Sequence, residues 1–129
     1  MPGIEAARSM IRMARLDLDA LVGMGSNPVF ADSIFGFHVQ QSIEKTLKAW
    51  LLRCGVDCPR THDLRRLLRL LEEQGADVLT FWPLMEYSIY SVQTRYEEGL
   101  LCADDPLDRA QAQSDARLLW QHVDDLLAG

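Results

Sequence analysis

The sequence has no apolar run approaching the roughly 20 residues that a membrane span requires. Its first residues, MPGIEAARSMIRMARLD, also lack the charged-then-apolar layout of a secretory signal. A cytoplasmic protein is the expectation. Cysteine is scarce: Cys54, Cys58 and Cys102 are an odd number, and the one close pair has three intervening residues instead of the two usual in zinc knuckles and thioredoxin-like motifs. These read as reduced structural thiols, with His62 near Cys58 but no evident fourth ligand for a metal. Positive charge is in the minority, because 13 Lys and Arg stand against 19 Asp and Glu and leave a formal net charge of -6. The whole-molecule field therefore repels phosphate, strong non-specific nucleic-acid binding is not expected, and any anion site must be a local patch. Familiar catalytic templates are missing too: there is no phosphate-cradling glycine loop, no nucleophile elbow and no helical His-Glu-x-x-His zinc motif. The acid pairs Asp104-Asp105 and Asp124-Asp125 are adjacent residues, which point to different sides of a helix and suit capping or solubility better than metal binding. No cofactor is implied.

What is present is a globular composition, 48% hydrophobic and 25% charged over 129 residues, enough for one domain spanning residues 1–129 with a core of its own. Helical spacing runs through it. From about Glu5 to Val22, residues Ala7, Ile11, Ala14, Leu18, Leu21 and Val22 fall on one side, with Arg8, Arg12, Arg15 and Asp19 opposite. A second helix is predicted from about Pro28 to Cys54, carrying Ile43, Leu47, Trp50, Leu51 and Cys54 as its apolar stripe, with Gly36 as its weak point and Gly55 as a left-handed cap. Thr61 or Asp63 opens a short third helix that buries Leu64, Leu67, Leu68 and Leu71 and turns Arg65, Arg66 and Arg69 away, ending at Gly75. A fourth helix is expected from Thr80–Pro83 to about Glu98, with Met85, Ile89, Val92 and Tyr96 inward and Gly99 at its end. After an acidic turn, Ala112, Ala116, Leu119, Val123, Leu126 and Leu127 mark the inner face of a last helix. Four longer helices and one short one, joined by short loops, can hide these stripes only against one another. The fold class that follows is an all-α, mainly antiparallel bundle, with Leu47, Trp50, Leu68, Val92 and Leu119 in one core.

The segment richest in chemistry is Gln40-Gln41-Ser42-Ile43-Glu44-Lys45-Thr46-Leu47-Lys48-Ala49, followed after a turn by Thr61-His62-Asp63-Leu64. Gln41, Glu44, Lys45 and Lys48 are spaced to share one helical face opposite the apolar stripe. That face has two readings: a grip for phosphate, or an exposed surface laced by a Glu44–Lys48 pair worth about 0.3–0.5 kcal/mol.

In order and spacing, Gln40, Gln41, Glu44, Lys45 and Lys48, then Thr61, His62, Asp63 and Leu64, then Arg95 and Tyr96, resemble the HEPN (higher eukaryotes and prokaryotes nucleotide-binding) domain pattern. The resemblance extends from about Ala14 to Leu127. It implies a small helical bundle, commonly a homodimer, often encoded beside a minimal nucleotidyltransferase and acting with it in toxin–antitoxin or nucleotide-handling systems. Under that resemblance Lys45, Lys48, His62 and Arg95 suit a nucleotide phosphate, and Tyr96 offers a ring face or hydroxyl to the base or sugar.

Many HEPN relatives are metal-independent ribonucleases marked by an Arg, four to six residues, and a His in the last helix. Arg117 and His122 meet that spacing formally. Leu118 stands where active relatives usually carry a polar residue, Asp124 replaces the Tyr of one toxin branch, and residues five apart differ by about 140° around a helix. Three readings follow: a nucleotide- or partner-binding module, a ribonuclease using Arg117 and His122 across a dimer, and a structural dimerisation domain. Phe30, Phe35, Phe37, Phe81 and Trp82 exceed what five helical stripes need and are candidates for an interface between two copies.

Overall fold

The computed structural model describes residues 2–91 and 106–129, and among these every regular element is helical. Four α-helices, α1 (Pro2–Met24), α2 (Asp32–Arg53), α3 (Leu64–Glu73) and α4 (Arg109–Ala128), are accompanied by a 3-10 segment over Leu79–Tyr90. Inter-helix contacts fix their directions. The Arg8 guanidinium donates to the Leu127 carbonyl and the Trp120 indole to the Ile11 carbonyl, so α1 and α4 run antiparallel. Gly3 lies against the Leu52 carbonyl, and Asp17 reaches His38 and Lys45, so α1 is antiparallel to α2 as well. By contrast, α2 and α4 meet start to start through Asp32 and Arg109 and end to end through Arg53 and Leu126, and are parallel.

On α1 the buried side is Ala7, Ile11, Ala14, Leu18, Leu21 and Met24. Val22, expected on that side, is 59% exposed, because α1 packs chiefly on α2 and α4 and the contact is narrower than the apolar stripe. α2 begins at Asp32, later than expected. Asn27 explains the delay: its side chain accepts from Val29 N and its carbonyl from Phe30 N, holding Pro28 to Phe30 in a turn. Arg109 fixes the same turn, donating to the carbonyls of Gly25, Asn27 and Phe30 while its Nε binds Asp32 at 2.9 Å. Asp32 also accepts from Leu107 N, and the Leu107 and Arg109 hydrogen bonds hold its carboxyl below the usual range. The far end of α2 stops as expected. Gly55, at φ +81°, lets its own N–H reach the Leu52 carbonyl and that of Val56 reach Leu51, closing the helix end.

Of the two expected openers of α3, Asp63 is the cap, accepting from Arg65 N, while Thr61 Oγ accepts from Asp63 N and holds the turn before the helix. Leu64, Leu67, Leu68 and Leu71 are fully buried, and Arg65, Arg66 and Arg69 are exposed. The expected fourth α-helix is instead the 3-10 segment, with three residues per turn, so Phe81, Leu84, Tyr87 and Tyr90 share a side. Leu84 and Tyr90 are accordingly buried while Met85 and Ile89, chosen on a 3.6-residue period, are only half-buried. Side-chain anchors accompany this winding. The Trp82 indole binds Glu72, Ser88 Oγ accepts from Leu64 N, and the Tyr87 hydroxyl binds Asp115, which together with burial pushes the phenol pKa well up. Val92, Arg95, Tyr96 and Gly99, and Cys102 with the Asp104-Asp105 pair, lie outside the described residues.

The core joins all five elements and contains Leu47, Trp50, Leu68 and Leu119 as expected. Phe35 is part of it, with Phe81 and Trp82 packed at its edge, so these three are absorbed by the bundle itself. Gly36 proves to be a contact and not a flaw: a Cβ there would run into the Tyr90 ring.

Candidate functional site

Because α2 is covered by α1 on one side, α3 and the 3-10 segment on another and α4 on a third, it has almost no free face. Its polar residues are therefore buried with their partners. Ser42 and Thr46 bond to carbonyls of their own helix, at Val39 and Ser42. Gln40, fully buried, donates from one amide nitrogen to Glu44 at 2.9 Å and to the His62 carbonyl at 3.3 Å, while its oxygen accepts from Gln41. Among the described residues no buried side-chain nitrogen or oxygen lacks a partner.

Glu44 is the hub. Only 5% exposed, it binds Lys48 Nζ through Oε2 and the His62 ring Nδ1 through Oε1, both at 2.9 Å. Burial alone raises its pKa, but the hydrogen bonds from Lys48, Gln40 and His62 outweigh that and hold the carboxyl below its usual value, as an anion. The Glu44–Lys48 contact is thus no solvated surface pair. His62 is half exposed, and among the described residues its ring is hydrogen-bonded through Nδ1 only. This joins Lys48 and His62, two of the expected phosphate-facing residues, at one carboxylate.

Lys45 goes elsewhere. It binds Asp17 of α1 at 2.7 Å, and the same carboxylate meets His38 Nδ1 at 2.9 Å. Asp17 and His38 were not singled out from the sequence. The available signal was positional: Asp17 lies three residues after Ala14 and one before Leu18, so an acid sits on the buried side of α1 and needs a cation there.

The last helix presents a different arrangement. His122 packs its ring against Trp50 and Phe81, with centroids 5.1 and 5.2 Å away. These rings, with Arg53, Asp77 and Thr80, line an open cavity of about 580 Å³. Arg117 is exposed and does not line it. Cys54 and Cys58 are free thiols, and Cys58 donates to the Lys48 carbonyl while burial pushes its pKa up. Among the described residues no three His, Cys, Asp or Glu side chains lie where they could share a metal ion, and no helix is long and apolar enough to cross a membrane.

Over residues 7–124 the sequence matches the family model described as HEPN domain. The chain belongs to the HEPN family. No curated protein and no solved structure matches it. Membership makes this a nucleotide- or RNA-related helical module, and the HEPN pattern residues can now be followed into the fold. Gln40, Glu44, Lys48 and His62 form one hydrogen-bonded unit that ties the loop before α3 to the middle of α2. Gln41 joins this HEPN unit through Gln40, and Lys45 ties α2 to α1. Arg95 and Tyr96 fall outside the described residues.

Proposed function

We propose that this HEPN domain is a nucleotide-binding module that acts with a partner chain and is not a nuclease by itself. The observation that carries the reading is the meeting of Lys48 and His62 at Glu44: one ammonium and one half-exposed imidazole, from segments distant in sequence, at the edge of an otherwise acidic molecule. Such a pair suits a phosphate group. Lys45 contributes from the neighbouring cluster, and Arg95 and Tyr96 complete the set that the family pattern assigns. Calorimetric titration with ATP, GTP and their monophosphates tests it. We expect saturable, salt-sensitive binding that a Lys48→Ala, His62→Ala double substitution weakens at least about tenfold; unchanged affinity removes the site.

The partner in this proposal is a minimal nucleotidyltransferase, in a nucleotide-handling or toxin–antitoxin pair, with the HEPN chain itself a homodimer. Exposed Val29 and Phe30 in the turn before α2, with Ile34 in its first turn, supply apolar surface for the pairing. Co-expression with any nucleotidyltransferase encoded in the neighbouring reading frame tests this, and separate elution of the two chains argues against it. The ribonuclease alternative draws on the open cleft at His122, whose lining includes Arg53 but not Arg117, and it needs a second chain to bring Arg117 there.

A further inference from the structure

We propose that the His62 edge of this site selects a terminal phosphate monoester over an internal phosphodiester, and that it binds the monoester together with one proton. The inference rests on the phosphate-facing reading above. A carboxylate can only accept hydrogen bonds, so the 2.9 Å contact between Glu44 Oε1 and His62 Nδ1 puts the ring hydrogen on Nδ1. Gln40 holds the same residue by its carbonyl, and Gln40 is itself fully buried and bonded to Glu44 and Gln41. The ring is thereby held by Glu44 and the backbone that carries it by Gln40. In the neutral imidazole Nε2 then carries a lone pair that meets no donor among the described residues, on the side of the ring away from Glu44, while the side chain as a whole is 52% exposed.

A bare lone pair repels a phosphate oxygen, so contact requires a proton between them. A phosphate monoester can bring one, because its second ionisation lies near pKa 6, close enough to neutrality for a proton to be held between the two. The balance is simple. Neutral imidazole, one proton and the monoester dianion give an imidazolium hydrogen-bonded to the dianion, with no bond to phosphorus made or broken. A diester brings no proton near neutral pH and offers one negative charge instead of two, so its hydrogen bond to the imidazolium is weaker. Lys48 adds the remaining donors of its ammonium, one being committed to Glu44. Among the described residues, the charged groups nearest His62 through its contacts are Glu44 and, on the same carboxylate, Lys48 of α2, and along its own chain Asp63, Arg65 and Arg66 follow it into α3. The 3-10 segment meets the start of α3 through Met85 and Ser88, neither of which titrates.

Two measurements on the full chain test this. Nitrogen-15 NMR of the ligand-free protein reports the His62 tautomer, with hydrogen on Nδ1 expected. Calorimetry with AMP, inorganic phosphate and the diester ApA, at several pH values and in two buffers of different ionisation heat, counts protons. For AMP we expect uptake approaching one proton near pH 7.5, affinity falling by up to about tenfold per pH unit above neutrality, and weaker binding of ApA with correspondingly less uptake. A His62→Gln variant keeps residual AMP binding through Lys48 and loses the proton uptake. AMP binding without proton uptake, equal affinity for ApA, or hydrogen on Nε2 in the free protein overturns the proposal and leaves nucleotide binding standing. Failure of all three ligands to bind at any pH overturns both.

Discussion

At the scale of single residues, the molecule depends on charges that are buried and paired. Removing Glu44 leaves the Lys48 ammonium, 15% exposed, without its anion. Such a loss costs about 3–5 kcal/mol when a buried pair is broken, and Glu44→Ala is expected to lower the urea midpoint accordingly. The sign of the pH dependence follows from the depressed Glu44 pKa. Its contribution is complete above the usual value of 4.5 and is lost as pH falls through the lower folded value. Urea unfolding from about pH 5 downward should therefore show the parent losing stability faster than Glu44→Gln; parallel curves contradict it. Asp32, depressed by Leu107 and Arg109, acts in the same direction. Gly36 poses the opposite problem, since alanine favours a helix by about 1 kcal/mol but would force the Tyr90 ring aside. Overpacking typically costs about 1–3 kcal/mol, so Gly36→Ala is expected to lower Tm, and a raised Tm would show that the ring yields freely.

Among the elements, the 3-10 segment is where winding and burial can be tested together. Its three-residue period makes Leu84 a core residue and Met85 a peripheral one. Leu84→Ala should cost about 2–5 kcal/mol, the range for a buried leucine, and Met85→Ala clearly less. Equal losses in denaturant unfolding would instead indicate the 3.6-residue period that the sequence suggested. The other element of interest is the turn before α2, which Arg109 holds from α4 by its hydrogen bonds to three carbonyls and Asp32. Four partners on one guanidinium make it a clamp between two helix starts.

For the whole molecule, the net charge of -6 opposes approach of RNA, and Arg117 does not line the cavity that contains His122. Metal-independent cleavage of a phosphodiester needs a cation and a proton carrier within reach of one bond. The isolated chain is expected to leave RNA intact in chelator; cleavage that both Arg117→Ala and His122→Ala abolish would move the ribonuclease reading to first place. Pairing is a separate matter. Ultracentrifugation at micromolar concentration is expected to return twice the 14.6 kDa chain mass, and a Phe30→Asp, Ile34→Asp variant to return the monomer.

The helical class, the buried leucines of α3, the inner face of α4, the stop at Gly55 and the family pattern from Gln40 to Leu64 were legible in the sequence, because each is set by local spacing or capping. What surrounds a helix is not local. Only the tertiary structure decided that the Gln41–Lys48 face of α2 is covered instead of solvated, that Lys48 and His62 share Glu44 while Lys45 turns to Asp17, and that Tyr90 closes on Gly36. Periodicity reports which residues of one helix lie together, and it carries no information about whether water or another helix lies opposite them.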